Sequence, residues 1–190
     1  MKTSLLPPSA VDQLLTRAST SRFGEAGPSR LQIDTMLAAA VTAADHGRLR
    51  PWRFVVMQGA ARNRLANLMM QQVLADNPEA SDAECRRAHE KAFRAPLVIA
   101  LLCKPRVGHK VPVIEQQSAA AAAGAHLMLA ANALGFGAAW KTGAAAYHSV
   151  VRDGFGLEEQ DSIIGFFYIG EDASPRPLPR ANVHGVVEYW

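Results

Sequence analysis

From Gln116 to Trp140 the chain carries no aspartate, glutamate, lysine or arginine. A helix built from such a run has no charged face to turn to water, so it must be covered by protein or lie in lipid. Its content decides between the two. It is mostly alanine, interrupted by Gly124, His126, Asn132 and Gly135, and alanine contributes little to membrane insertion compared with leucine, isoleucine or phenylalanine. The run therefore predicts a buried helix, not a membrane span. Its small side chains let a second helix approach closely, which makes it the candidate subunit interface.

Around this helix the remaining elements follow from periodicity and caps. Ser9 and Asp12 open a first helix with Val11, Leu14, Leu15 and Ala18 on one stripe. Ser29 and Gln32 form a capping box for a second, whose stripe Ile33, Met36, Leu37, Ala40, Val41 and Ala44 runs to a stop at Gly47. "RFVVMQG" (53–59) reads as a strand, followed by a helix through Leu65, Leu68, Met69 and Val73. Ser81 and Glu84 cap a further helix to about Phe93, and Pro96 precedes "LVIALLC" (97–103), an unbroken apolar run suited to a central strand. "KPRVGHKVP" is a polar loop before the alanine-rich helix, which "GFGAAWKTG" breaks. Tyr147, Val150, Val151 and Phe155 mark a helix ended by Gly156, and "IIGFFYIG" (163–170) is the last strong strand. The proline-rich tail leads to a β-like end, and a terminal strand without a local partner pairs with another chain.

This order has no regular βαβ alternation and no internal repeat, so it predicts an α+β fold, with residues 1–190 as one domain. A hydrophobic share of 49% in 190 residues supplies one full core and excludes intrinsic disorder. The formal charge of +3 and pI near 9.1 sound nucleic-acid-like. Yet both signs are interspersed along the chain, which favours a local anion site over a broad basic face. Cys85 and Cys103 have no metal or redox spacing and read as buried reduced thiols. The N-terminus lacks an apolar signal region, so a cytoplasmic location is expected. His89, His109, His126, His148 and His184 share no ligand spacing, and no metal is expected. No dinucleotide fingerprint, P-loop, HExxH, GxSxG or CxxC motif is present.

Polar and basic residues concentrate at three element ends: "TRASTSRF" (16–23), "DHGRLRPW" (45–52) and "WKTG" (140–143). Arginine forks suit phosphate, the hydroxyls of Ser19, Thr20 and Thr142 add donors, and Trp52 and Trp140 offer flat apolar surface. That inventory suits a ligand with an anionic end and an aromatic end. Taken singly, each residue also has an ordinary structural reading: solvated arginines, His46 at a helix C-terminus, tryptophans in the core. Trp52 in particular reads as the anchor of its connection.

The segments "LLTRASTSRF", "AADHGRLRPWRFVVMQG", "FRAPLVIAL", "HKVPVIEQQSAAAAAGAHLMLAANALGFGAAWKTG" and "GFGLEEQDSIIGFFYIG", in that order over roughly residues 10–170, resemble the nitroreductase family of FMN-dependent flavoproteins, and within it the short YdjA-like subgroup. The resemblance implies a mostly antiparallel central sheet flanked by helices, in an intertwined homodimer with the long helix at its interface. It implies FMN in each of two interface sites, NAD(P)H as electron donor, and nitroaromatics, quinones or related small molecules as acceptors in a ping-pong cycle. The C-terminal segment is expected to reach over the partner.

Carried over by position, the resemblance assigns cofactor contacts to Arg17, Ala18 and Ser19, to Thr42 and His46 from the other subunit, and to Trp140, Lys141 and Thr142. Arg17 and Lys141 take phosphate or flavin-ring charge, Ser19 and Thr142 hydrogen-bond, and no protein nucleophile is required. Ala18 and Thr42 stand where similar proteins have arginines, and Lys141 keeps charge but loses the planar fork. These departures either weaken FMN binding or leave the phosphate to Arg22, Arg48 or Arg50. Three other readings stay open: a dehydrogenase of another metabolite on the same fold, an FMN-poor binding or scaffold dimer, and a polyanion binder. Loops 73–84 and 104–114 are the expected substrate-pocket segments.

Overall fold

Every residue of β2 (Leu97–Cys103) is buried, as a wholly apolar strand requires: neighbours on both edges and a layer on each face. In the computed structural model, which describes residues 10–173 and 184–190, β2 pairs antiparallel with β1 (Trp52–Gln58) on one side and β4 (Ser162–Gly170) on the other. A bulge shifts the β2–β4 register between Leu101 and Leu102. β3 (Gly137–Lys141) pairs antiparallel with β4, giving the order β1-β2-β4-β3. The fold is α+β with an antiparallel four-stranded sheet.

Side chains alternate across a strand, and here the alternation divides the core in two. Leu97, Ile99 and Leu101 of β2 and Phe167 and Ile169 of β4 pack with α2 (Arg30–Ala40) and α5 (Val113–Ala133). Val98, Ala100 and Leu102, with Phe166 and Tyr168, pack with α3 (Arg62–Asp76) and α6 (Ser149–Gly154). α4 (Asp82–Glu90) lies on α3, with its own capping box from Ser81 and Glu84. The capping box of Ser29 and Gln32 opens α2 as expected.

The charge-free run forms α5, and its composition has a steric cause. A Cβ on Gly124 would come within 2.5 Å of Phe167 Cζ and 3.2 Å of Leu101 Cδ2, so glycine lets the helix lie directly on the sheet. Gln116 is the buried polar exception, and it is satisfied. Its amide donates to the carbonyls of Arg106 and Val111 (3.2 and 3.0 Å) and its oxygen accepts from Arg106 N–H (2.8 Å), pinning the 104–112 loop. Among the described residues no helix is long and apolar enough to cross a membrane.

Several expectations are corrected. α2 ends at Ala40, not near Gly47, because the Thr42 hydroxyl donates to Ala39 O (2.7 Å) and closes the last turn. Gly47 instead takes φ +75° in a short 3-10 turn, His46–Arg48. Residues 137–141, expected as a break, are strand β3. Alanine and glycine carry little strand propensity, and it is pairing with β4 that makes the strand. α1 (Ala10–Thr16) stops before Ala18 and buries none of its residues: Val11, Leu14 and Leu15 are 60%, 56% and 57% exposed. Its expected cap Ser9 lies outside the described residues. Tyr147 precedes α6 and is exposed. Cys85 is half-buried, whereas Cys103 is buried as expected, and burial and the nearby Asp161 push its thiol up to about 11. The expected terminal strand is absent: residues 184–190 form a turn and an irregular end with Val186, Tyr189 and Trp190 exposed. The proline-rich connection falls on 174–183, outside the described residues.

Gly124→Ala tests the close approach of α5. Alanine favours the helix by about 1 kcal/mol, but crowding Phe167 and Leu101, both fully buried, is expected to dominate at about 1–3 kcal/mol. Chemical denaturation should therefore show a lower midpoint, and an increase would show that the sheet yields.

Candidate functional site

The residues assigned to a cofactor fall into two groups. The first lies at the β3 edge. After α1 the chain runs alongside β3: Ser19 bridges Ala138 in parallel sense, Thr20 N–H donates to Ala138 O at 3.0 Å, and Arg17 Nη1 lies 3.4 Å from Ser19 Oγ. The approach needs Gly137, since a Cβ there would collide with Thr20 Oγ1. Trp140 and Lys141 follow on the same strand and Thr142 just past its end, while the parallel sense of the bridge places Arg17 and Ala18 toward the start of β3.

The Trp140 indole is not an open stacking surface. It lies over Gly165, donates Nε1–H to Ile164 O (3.0 Å) and packs 5.0 Å from the Phe167 ring. It anchors the end of β3, while Lys141 and Thr142 remain exposed beyond it.

The second group sits on the α5 side. The Thr42 hydroxyl spends its one hydrogen on Ala39 O, which leaves its oxygen to accept from His126 Nδ1 at 3.2 Å. His46 Nδ1 pairs with Glu115 Oε2 at 2.6 Å. Residues 115 and 126 lie about 16 Å apart along α5 at 1.5 Å per residue. Among the described residues no hydrogen bond or ion pair joins this group to the one at β3. The described contacts therefore leave the assigned residues in two separate groups.

The loop between His46 and Trp52 is strained. Arg48 and Arg50 both take left-handed backbone, at φ +53° and +50°, a conformation that costs an arginine about 1–2 kcal/mol. Asp45 holds it: its Oδ2 accepts from Arg50 N–H (2.7 Å) and its carbonyl from Arg48 N–H (3.1 Å). Arg22, Arg48 and Arg50 are all exposed, and Trp52 packs half-buried against the α2–α5 layer.

Beneath Lys141 and Thr142 a cavity of about 410 Å³ opens between the loop 141–145, α3 and the end of the sheet. Met69, Val73 and Phe166 give it apolar walls, and Lys91, Arg94 and Lys141 bring three cations to it. Two nearly buried polar groups face it as well, Gln72 (9% exposed) and Tyr168 (4% exposed). Among the described residues neither side chain has a hydrogen-bond partner. Neither polar group is sealed from the cavity, so the pair offers an amide and a phenol to whatever fills it. Burial pushes the Tyr168 phenol up to about 12 against the opposing charge of Arg94, so it remains a neutral donor. Sequence reasoning missed Gln72, Tyr168, Lys91 and Arg94. Helical and strand periodicity assigns the first two to the core, and only the third dimension places all four around one hollow. Among the described residues no cluster of ligating side chains could hold a metal.

A model of the nitroreductase family matches residues 14–171. The Escherichia coli K12 protein YdjA, provisionally named an NAD(P)H nitroreductase, is 38% identical over 161 residues, which cover 85% of this chain and 87% of that protein. A Haemophilus influenzae protein of the same provisional activity is 34% identical over 163 residues, with 85% and 87% covered. Among solved structures, a nitroreductase-like protein from Bacillus cereus superposes with a TM-score of 0.82 at 20% identity, covering 100% of this chain and 98% of its own. The FMN- and NADPH-dependent nitroreductase NfnB of a Sphingopyxis strain does so at 0.74 and 18%, covering 96% and 99%. The likeness to these structures is one of fold; with the match over residues 14–171 and the identity to YdjA, it places the chain in the nitroreductase family of oxidoreductases.

Proposed function

We propose that residues 1–190 form one FMN-binding domain of a homodimeric NAD(P)H oxidoreductase, which reduces nitroaromatics, quinones or similar acceptors in a ping-pong cycle. The observation that carries this reading is the pair of unpartnered groups, Gln72 and Tyr168, in a cavity whose mouth is Lys141 and Thr142. The residues fit a flavin: a planar, polar ring system with donors and acceptors on its edge would satisfy both groups between apolar walls.

Bound there, FMN supplies the hydride chemistry. The chain's own residues do the rest. Lys141 would supply positive charge to the bound ring, and Gln72 and Tyr168 would hold its polar edge by hydrogen bonding. Met69, Val73 and Phe166 keep water from the buried side. Arg17 and Ser19, beside β3, take the phosphate end. Thr42 and His46, held by His126 and Glu115, complete the site of a second copy. The bare α1 face and the exposed positions of α5, Ile114 near its start and Ala125 at its middle, suit burial against that copy, and light scattering should return twice the 20.4 kDa chain mass.

Lys141→Ala and Arg17→Ala should each yield protein with less bound flavin, read from its visible absorbance; full occupancy in both would refute their roles. Gln72→Leu separates stability from binding. Replacing an amide that faces the cavity without a protein partner should leave the stability of the flavin-free chain nearly unchanged while lowering flavin retention; losing both would show that the amide is structural. The raised phenol of Tyr168 stabilises the fold below pH 10, and that contribution is lost as pH rises through about 12. Tyr168→Phe should delete a late step from the tyrosinate absorbance titration, and an unchanged titration would contradict the burial.

A further inference from the structure

The cavity at Lys141 does not end at α3. It adjoins an outer groove of about 540 Å³ between α3 and α4, and the two hollows share Val73, Lys91 and Arg94. Arg87 extends the cationic edge outward. The spacing 87, 91, 94 puts the three on one face, within about 10 Å along the helix axis.

The opposite face is fastened to the body. Ala88 and Ala92 are buried, Phe93 stacks 5.4 Å from His89, and the Arg62 guanidinium sits 5.0 Å over Phe93 while donating to Ala95 O at 2.6 Å. The helix cannot turn its cations elsewhere. Among the described residues none of the three makes a salt bridge or hydrogen bond. Two carboxylates also line the groove. Glu84 is engaged, since its Oε2 accepts from the Ser81 amide and hydroxyl at 2.9 and 2.7 Å, bonds that hold its pKa below the usual carboxylate range. With Glu84, whose charge also faces Arg87, and Glu90, the groove still holds three cations against two carboxylates.

Like charges gathered without partners repel, and arginine and lysine so placed suit phosphate. With the flavin ring proposed for the inner hollow, the ligand that fits the outer groove carries several phosphates and extends a second ring to the mouth of that hollow, over the flavin. We propose that this groove binds the adenosine end of NADPH, with Arg87 and Lys91 on the 2′-phosphate and Arg94, between the hollows, on the diphosphate. The chain would accordingly prefer NADPH to NADH. This rests on the oxidoreductase reading only in giving the nicotinamide a reason to reach the mouth of the inner cavity.

The test uses the full chain as purified, with flavin content recorded in each sample. Adenosine 2′,5′-bisphosphate and 5′-AMP serve as probes in calorimetric titrations. The bisphosphate should bind about tenfold tighter or more, the effect of one charge-assisted contact. In the exposed double variant Arg87→Gln/Lys91→Gln that advantage should vanish, whereas Glu90→Gln should enlarge it. Equal binding of the two probes, or an advantage that survives the double variant, overturns the proposal. A colourless protein that still prefers the bisphosphate would sink the flavin reading and support this site. A yellow protein with no preference would do the reverse. With flavin present, the NADPH to NADH ratio of kcat/KM should be about tenfold and fall toward one in the double variant.

Discussion

The contact between α5 and the sheet at Gly124 is the constraint on which the other parts rest. Because no Cβ separates the helix from Phe167 and Leu101, α5 lies close against β2 and β4, and its alanines fill the remaining space without pushing the layers apart. The same helix carries Glu115 and His126, which hold His46 and Thr42. Its amide Gln116 ties down the 104–112 loop. A helix bulky enough to bury itself by ordinary leucine packing would stand further off, and those attachments would move with it.

On the other face of the sheet the packing is deliberately incomplete. Phe166 and Tyr168 alternate with Phe167 and Ile169 along β4, so the strand that seals one layer also floors the cavity of the other. Where α3 passes over that floor, Gln72 and Tyr168 turn their polar groups toward the cavity instead of toward protein partners. The strained Arg48 and Arg50, held by Asp45, are a second departure from ordinary packing. Both occur at segments flanking the assigned contacts, where local structural rules are most often broken in favour of function.

The contacts that the family resemblance assigns fall into two groups that one chain does not bring together. Arg17, Ser19, Lys141 and Thr142 lie along or just past β3, while Thr42 and His46 belong to the α5 side. In the homodimer proposed above, a two-fold arrangement would repeat each group and let unlike groups meet. The apolar face of α1, uncovered in one chain, is consistent with such a contact.

Patterns that close within a few residues were legible without the structure: the capping boxes at Ser29 and Ser81, the apolar run of β2, the stop at Gly156 and the buried nature of α5. Their energetics are local, so spacing alone reports them. The early end of α2 turns on one hydroxyl choosing Ala39 O, and β3 exists because β4 offers it an edge, so neither is written in local propensity. The cavity was the least legible of all. Gln72, Lys91 with Arg94, Lys141 and Tyr168 come from four separate stretches, each with an ordinary reading where it stands. Only the packing of α3 and α4 over the end of the sheet makes them neighbours, because burial and electrostatic proximity are properties of distance in space and not of position along the chain.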